Sequence, residues 1–256
     1  MRIRLLPSSC TEPGTLQPLT TLLVNDTLAI DGGSLGLGLG PQEQRRVRSV
    51  VVTHSHGDHI ASLPVFLAEV YPFLDGPVAV HSIPEVIGAL REHVFNDIVS
   101  PDFRGIDLPR GGGRGLRYVE IEPLVPFEVE GLRATAVEVN HTVRTVGLIL
   151  EDDRSAVVVT SDTHHTDEIW RLANRLERLK AVFVDVSYPD EMEALAAVSK
   201  HLTPRSLTLE LGKLKRPAQV LAVHLKPQFH AAVRRQLADL GRSDIEVAEI
   251  GREYSF

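Results

Sequence analysis

Three histidines and a carboxylate fall within six residues, His54-Ser55-His56-Gly57-Asp58-His59, directly after the apolar run Val50-Val51-Val52-Thr53. Imidazole and carboxylate are ligands for transition-metal ions, and H-x-H-x-D-H gathers enough of them at one strand end for two adjacent ions. A solvated turn gains nothing from this composition, and an unpaired buried Asp would cost kilocalories. Two ions about 3.5–4 Å apart depress the pKa of a shared water and hold a phosphoryl oxygen for in-line attack, so a phosphodiester is the natural substrate. The imidazoles must be neutral to bind, so occupancy should fall in acid.

Further ligands should leave strand ends along the same edge of the fold. His141 follows residues 136–140, Asp162 follows 157–161, and His224 follows 220–223, each an apolar β-type run. Taken singly, each is equally a cap or loop residue. Their recurrence at one kind of position makes His54, His56, Asp58, His59, His141, Asp162 and His224 the candidate metal set. Zinc is the first expectation for the two divalent ions, with manganese or iron suiting the same ligands.

At 256 residues, 43% hydrophobic and 24% charged, the chain can bury one large α/β core. We expect residues 1–256 to form one hydrolase domain. A formal charge of −7 argues against general affinity for DNA. A single cysteine, Cys10, excludes an intramolecular disulfide, and the short polar start at residues 1–7 fits neither a signal peptide nor a membrane span. A cytoplasmic protein without membrane contact is the expectation.

The elements that must position the ligands alternate. Strand-like runs at 2–6, 21–24 and 27–30 lead into a glycine-rich turn over 31–40. Helical periodicity marks 60–74 and 85–95, with a short strand at 78–80 between them. The low-complexity stretch 105–115 separates this half from strands at 116–121, 132–139, 143–150 and 156–160. The pattern then restarts, with a helix at 167–178, a strand at 181–186, helices near 190–198 and 204–214, a strand at 220–223 and a helix at 227–240. Two halves that each run strands before helices imply two sheets packed face to face with helices outside, a four-layer αββα sandwich.

The ordered set His54/His56/Asp58/His59, His141, Asp162, His224 resembles the metallo-β-lactamase superfamily over nearly the whole chain. The resemblance implies a first ion on His54, His56 and His141, a second on Asp58, His59 and His224, and Asp162 bridging. It places Asp31 at a strand end where it would fix an imidazole tautomer. Residues 93–98 and 101–103, Ser161-Asp162-Thr163, Val186-Ser187-Tyr188-Pro189, Lys200-His201-Leu202-Thr203-Pro204 and Leu209-Glu210-Leu211 resemble the class II 3′,5′-cyclic-nucleotide phosphodiesterases. That likeness implies hydrolysis of cyclic AMP or GMP, a small-molecule cyclic-nucleotide partner. Lys200 stands where that family has Gly, and Val99-Ser100 where it has Trp. By likeness to the related tRNase Z enzymes, His201 would face the phosphate as donor of a hydrogen bond or proton. Asp58 and His201 are therefore the candidate catalytic residues.

Other residues take plainer readings. Gly36-Leu37-Gly38-Leu39-Gly40-Pro41 lacks G-x-G-x-x-G spacing, and Pro41 obstructs a dinucleotide-binding turn. Superfamily members often pair, so a homodimer is one expectation, with Leu35, Leu37 and Leu39 as its contact or as a pocket wall. His164 and His165 line either the cleft or a surface loop. His81 fits a core position, His230 a helix surface, and His93 a pocket wall near substrate. Arg104, Arg110, Arg114 and Arg117 read as a solvated hinge before a phosphate contact. Two alternative activities stand beside cyclic-nucleotide hydrolysis. Cleavage at tRNA 3′ ends needs a long basic arm, where only 104–117 offers a short one. Another hydrolase of the same fold would cleave carboxyl esters such as lactones or thioesters, since a bridged hydroxide attacks these too.

Overall fold

The computed structural model describes residues 1–8 and 17–256, so Cys10 lies outside the described residues. Fourteen strands are described: β1 (Arg2–Leu5), β2 (Leu22–Val24), β3 (Leu28–Ile30), β4 (Ser49–Val51), β5 (Val78–Ser82), β6 (Leu116–Glu120), β7 (Pro126–Val129), β8 (Leu132–Val139), β9 (Thr145–Glu151), β10 (Ala156–Val159), β11 (Leu179–Asp185), β12 (Gln219–Val223), β13 (Ile245–Val247) and β14 (Glu253–Ser255). They form two seven-stranded mixed sheets, ordered β14-β1-β2-β3-β4-β5-β6 and β13-β12-β11-β10-β9-β8-β7.

Alternation along the strands of the second sheet shows the layering. Val157, Val159, Ala181, Phe183, Leu221 and Val223 pack in one core with the first sheet. Their neighbours Val158, Val182, Val184, Val220 and Ala222 pack in another with α5 (Glu168–Ala173), α7 (Pro204–Leu211) and α8 (His230–Asp239). Apolar residues on both faces are what a sheet covered on both sides requires. The first sheet is covered by α3 (Leu63–Val70) and α4 (Pro84–His93), which bury Leu63, Phe66, Leu67, Val86 and Leu90. The αββα sandwich is the observed fold.

The sequence reading differs from the structure in four places. The run at 116–121 pairs in parallel with β5, so it closes the first sheet and the switch between sheets comes after Glu120. Parallel pairing needs a long crossover, and α4 with residues 94–115 supplies it. The short strands β7, β13 and β14 carry too little periodicity to read. The helix foreseen at 167–178 spans only Glu168–Ala173. Leu35 and Leu39 are buried in the core, so the glycine-rich turn exposes only Leu37 of the three.

That turn is built by close approach. Thr20 N donates to Asp58 O at 2.9 Å, Gly32 N to His59 O at 2.7 Å and Gly33 N to Thr20 O at 3.1 Å, which ties residues 31–33 beneath the metal motif. A Cβ on Gly33 would lie 1.9 Å from Asp58 O and 2.7 Å from Thr20 N, so only glycine fits. Gly88 in α4 has nothing within 4 Å of the same position. We expect Gly33→Ala to cost about 1–3 kcal/mol in denaturant unfolding, and Gly88→Ala to be neutral or stabilising. Equal stabilities for the two variants would contradict this packing.

Candidate metal centre

His54, His141, Asp162 and His224 follow the carboxyl ends of strands, with His56, Asp58 and His59 just beyond His54, and the backbone turns sharply around the site. Asp31 after β3, Ser161 after β10, Lys200 before His201, and His224 after β12 have φ of 62°, 56°, 55° and 63°. Non-glycine residues seldom hold this left-handed region, and such strain concentrates at functional sites. His56 starts α2 (Gly57–Ile60), a single turn that brings Asp58 and His59 to the same edge.

The side chains converge on one buried atom. Oδ2 of Asp162, a residue 2% exposed, lies 3.3 Å from His59 Nε2, 3.5 Å from His224 Nε2, 3.7 Å from His54 Nε2, 3.9 Å from His141 Nε2 and 4.0 Å from His201 Nδ1. Around it, His54, His56, His141 and Asp162 form one group able to hold an ion, and Asp58, His59 and His224 form a second. A third grouping, Asp162 with His201 and His224, overlaps both. All seven candidate ligands are thus brought together, with His201 beside them.

The imidazoles are oriented from behind. Asp31 accepts from His59 Nδ1 at 2.7 Å and from Thr53 N at 2.8 Å. The Thr53 hydroxyl donates to Asp31, so its oxygen accepts from His54 Nδ1 at 3.0 Å. His141 Nδ1 donates to Lys200 O at 3.1 Å. Ser187 Oγ donates to Asp185 at 2.7 Å and accepts from His224 Nδ1 at 3.0 Å. Each bond spends an Nδ1–H outside the centre, so Nε2 is the nitrogen that faces in and would give its lone pair to an ion. His56 is the exception, facing His141 Nε2 through Nδ1 at 3.1 Å.

These residues fit metal ions. Nε2 of His54 is buried without a hydrogen-bond partner, an orphan that a coordinate bond would satisfy. The separations of 3.1 Å for His56 and His141, and 3.3 Å for His59 Nε2 and His224 Nε2, match the edge of a tetrahedron, about 3.3 Å, around an ion with nitrogen ligands at about 2.0–2.1 Å.

The sequence reading passed over Asp185, although it too ends a buried apolar strand. Asp185 is 1% exposed, and its Oδ2 accepts from His201 Nδ1 at 2.8 Å. His201 stacks on His224 at 5.4 Å between centroids. His164 Nδ1 donates to His201 O at 2.9 Å, while His165 Nδ1 pairs with buried Glu210 at 2.8 Å, so both histidines brace the loop beside the centre. Lys200 in its left-handed position donates from Nζ to His141 O at 2.9 Å. His93 is exposed on α4 beside Glu92 and is no pocket wall. Arg104 pairs with Asp102, and Arg114 bonds Gly105 O and pairs with Asp107.

Burial opposes every charge here, and the neighbours decide which charges persist. Burial, aided by the neighbouring imidazoles, holds His54, His56 and His141 below their ordinary pKa. For His59 and His224 burial acts the same way, but Asp162 overrides it, aided by Asp31 and by Asp185 with Asp58, raising His59 well above normal and His224 to about 9. Burial would raise the carboxyls of Asp58 and Asp162; the surrounding imidazoles instead hold both well below their usual range. Depressed histidines and carboxylates lose their stabilisation as pH falls, the histidines below about 6.5 and the aspartates below about 3.9. The raised histidines stabilise fully below about 6.5 and lose that contribution as pH rises through about 9. The metal-stripped chain should therefore be most stable near pH 6.5, and zinc should remove the alkaline decline. Denaturant unfolding across pH 5–9 checks this, and a flat profile for the stripped chain would contradict it.

A family model described as "Beta-lactamase superfamily domain" matches residues 37–225, a span that contains all seven candidate ligands. The chain is 27% identical over 187 residues to 3′,5′-cyclic-nucleotide phosphodiesterase 1 of Saccharomyces cerevisiae, covering 64% of this chain and 49% of that protein. It is 24% identical over 199 residues to 3′,5′-cyclic-nucleotide phosphodiesterase of Schizosaccharomyces pombe, covering 70% and 55%. The alignments thus span about half the length of these relatives. Among solved structures, unliganded yeast PDE1 superposes with a TM-score of 0.79 at 18% identity over 98% of both chains. The short form of human tRNase Z superposes at 0.66 and 14% identity, over 100% of this chain and 99% of that one. Both solved structures share the fold. With the family model matching most of its length and a His/Asp cluster able to bind metal, the chain belongs to the β-lactamase superfamily, in its metallo-β-lactamase branch.

Proposed function

We propose that this protein is a dinuclear metal-dependent phosphodiesterase that opens 3′,5′-cyclic nucleotides to nucleoside monophosphates. The observation that carries the reading is the single buried oxygen of Asp162 ringed by five imidazoles, with Asp58 beside it. His54, His56 and His141 would hold one ion, Asp58, His59 and His224 the other, and Asp162 both. Two divalent ions so bound supply a water acidic enough to ionise near neutral pH and a positive seat for a phosphoryl oxygen. Zinc is the expected ion on these nitrogen and oxygen donors.

The protein's own contribution beyond holding the ions centres on His201. Asp185 accepts from its Nδ1, fixing the ring and leaving Nε2 without a protein partner among the described residues. With both ring nitrogens protonated, that nitrogen would donate a hydrogen bond or proton to the phosphoryl group or departing oxygen. Burial would raise the Asp185 carboxyl, but His201 draws it down to about 2, so Asp185 is a carboxylate that balances the ring when both ring nitrogens carry protons. Names of the fungal relatives support the cyclic-nucleotide substrate.

A tRNase Z-like activity would use the same fold, but the short basic segment that would grip RNA has Arg104 and Arg114 paired with Asp102 and Asp107 and folds back on itself. Residues 103–115 fold on themselves through Leu108 N to Gly113 O at 2.9 Å and Gly115 N to Phe103 O at 3.0 Å. Single-domain organisation over residues 1–256 remains our proposal.

Metal-defined enzyme should be assayed against cyclic AMP, cyclic GMP, precursor tRNA, bis(p-nitrophenyl) phosphate and a lactone. Cyclic nucleotides should be the fastest natural substrates. In the same assay His201→Ala should keep its metal content and lose about 10²–10⁴-fold in turnover. Efficient tRNA cleavage without cyclic-nucleotide turnover would reverse the assignment, and full activity in a folded, metal-replete His201→Ala would make that histidine purely structural.

A further inference from the structure

The turn after β12 sends two side chains to the centre. Lys226 lies two residues beyond His224, and its Nζ is 3.1 Å from Asp58 Oδ2 and 3.5 Å from His224 Nε2. The same Asp58 oxygen accepts from His224 Nε2 at 3.1 Å. The lysine side chain is 27% exposed, which places it at the mouth of the site. Its backbone is fixed, with Lys226 N donating to Ser187 O at 3.2 Å and Lys226 O accepting from Phe229 N at 2.9 Å.

No other basic side chain of the described residues has this position. Lys200 spends its ammonium on a backbone carbonyl, and Arg144 pairs with Glu85 and Glu138. Lys226 alone, apart from the histidines, bonds a candidate ligand oxygen. An ammonium has three donors, and Asp58 takes one of them. Its charge sits beside a group built to hold a divalent cation, where like charges a few Å apart repel in a partly desolvated site. A neutral carboxyl ester would leave that repulsion uncompensated. A phosphoryl group, with anionic oxygens on two sides, can accept from the ammonium and face the ions together.

We infer that Lys226 Nζ donates to a non-bridging oxygen of the substrate's phosphoryl group and of the phosphomonoester product, and so selects anionic phosphoesters over neutral esters at this centre. This rests on the phosphodiesterase reading and deepens it. It assigns substrate contact to a residue that holds no ion.

The test uses zinc-loaded enzyme with inorganic phosphate as a calorimetric probe, elemental analysis, and kinetics on bis(p-nitrophenyl) phosphate and p-nitrophenyl acetate. Lys226→Met should keep the wild-type metal content, bind phosphate about 10–100-fold more weakly, and raise KM for the phosphodiester by a similar factor, as expected for one charge-assisted hydrogen bond. KM for any acetate hydrolysis should not change. Lys226→Arg should recover most of the phosphate affinity. Unchanged phosphate binding in Lys226→Met overturns the inference, and so does loss of metal in that variant, which would make Lys226 a support for Asp58. Phosphate binding that depends on Lys226 in an enzyme without phosphodiesterase activity would uphold the contact and sink the functional reading instead.

Discussion

One carboxylate oxygen governs this molecule. Oδ2 of Asp162 is sealed from solvent at the end of β10 and faces nitrogens from five histidines that enter from four separate turns. A buried carboxylate costs several kilocalories unless paired, and a cluster of imidazoles repels itself once more than a few carry protons. Each tolerates burial because of the other. The arrangement is electrostatically balanced only with positive charge at its centre, supplied by protons on His59 and His224 or by metal ions in their place. The strained backbone at Asp31, Ser161, Lys200 and His224 follows from the same demand, since three strands and the helix ending at Ser199 must turn at their ends to aim a group at this point or to brace one.

Orientation is supplied by a ring of carboxylates and hydroxyls outside the imidazoles. Asp31 with Thr53 serves the β3 and β4 side, and Asp185 with Ser187 serves the β11 and β12 side. The two pairs come from opposite sheets, so the sandwich interface sets the imidazole tautomers. Glu210 extends the support: fully buried, it takes bonds from His165, Thr166 and Trp170 and pairs with Lys213, fixing the loop whose His164 bonds the His201 carbonyl. The motif residues around His201 and Glu210 thus act through one connected network.

Much of the centre was legible in the sequence because a ligand at a strand end leaves two marks, an apolar β run and a His or Asp directly after it. His141, Asp162 and His224 carry both, and His54 to His59 carry them with unusual density. Asp185 carries both as well and was missed, since a seven-ligand set was already complete without it. Lys226 left no mark, because a lysine after a strand reads as surface. Lys200 was visible only as a departure from a glycine pattern; its left-handed φ explains why glycine suits the position, and its ammonium bond to His141 O shows what the lysine does there. The two sheets were legible from the repeated order of strands before helices in each half. The sheet boundary was not, because the glycine-rich 105–115 segment resembles a hinge but is only the crossover leading into β6.

Metal stoichiometry after exhaustive dialysis, measured by elemental analysis in the wild type and in Asp162→Ala, tests the central role of Asp162 most directly. The account predicts about two ions per chain in the wild type, as a two-metal site requires, and loss of at least one in a variant that remains folded by circular dichroism. A folded Asp162→Ala that still holds two ions per chain would contradict it.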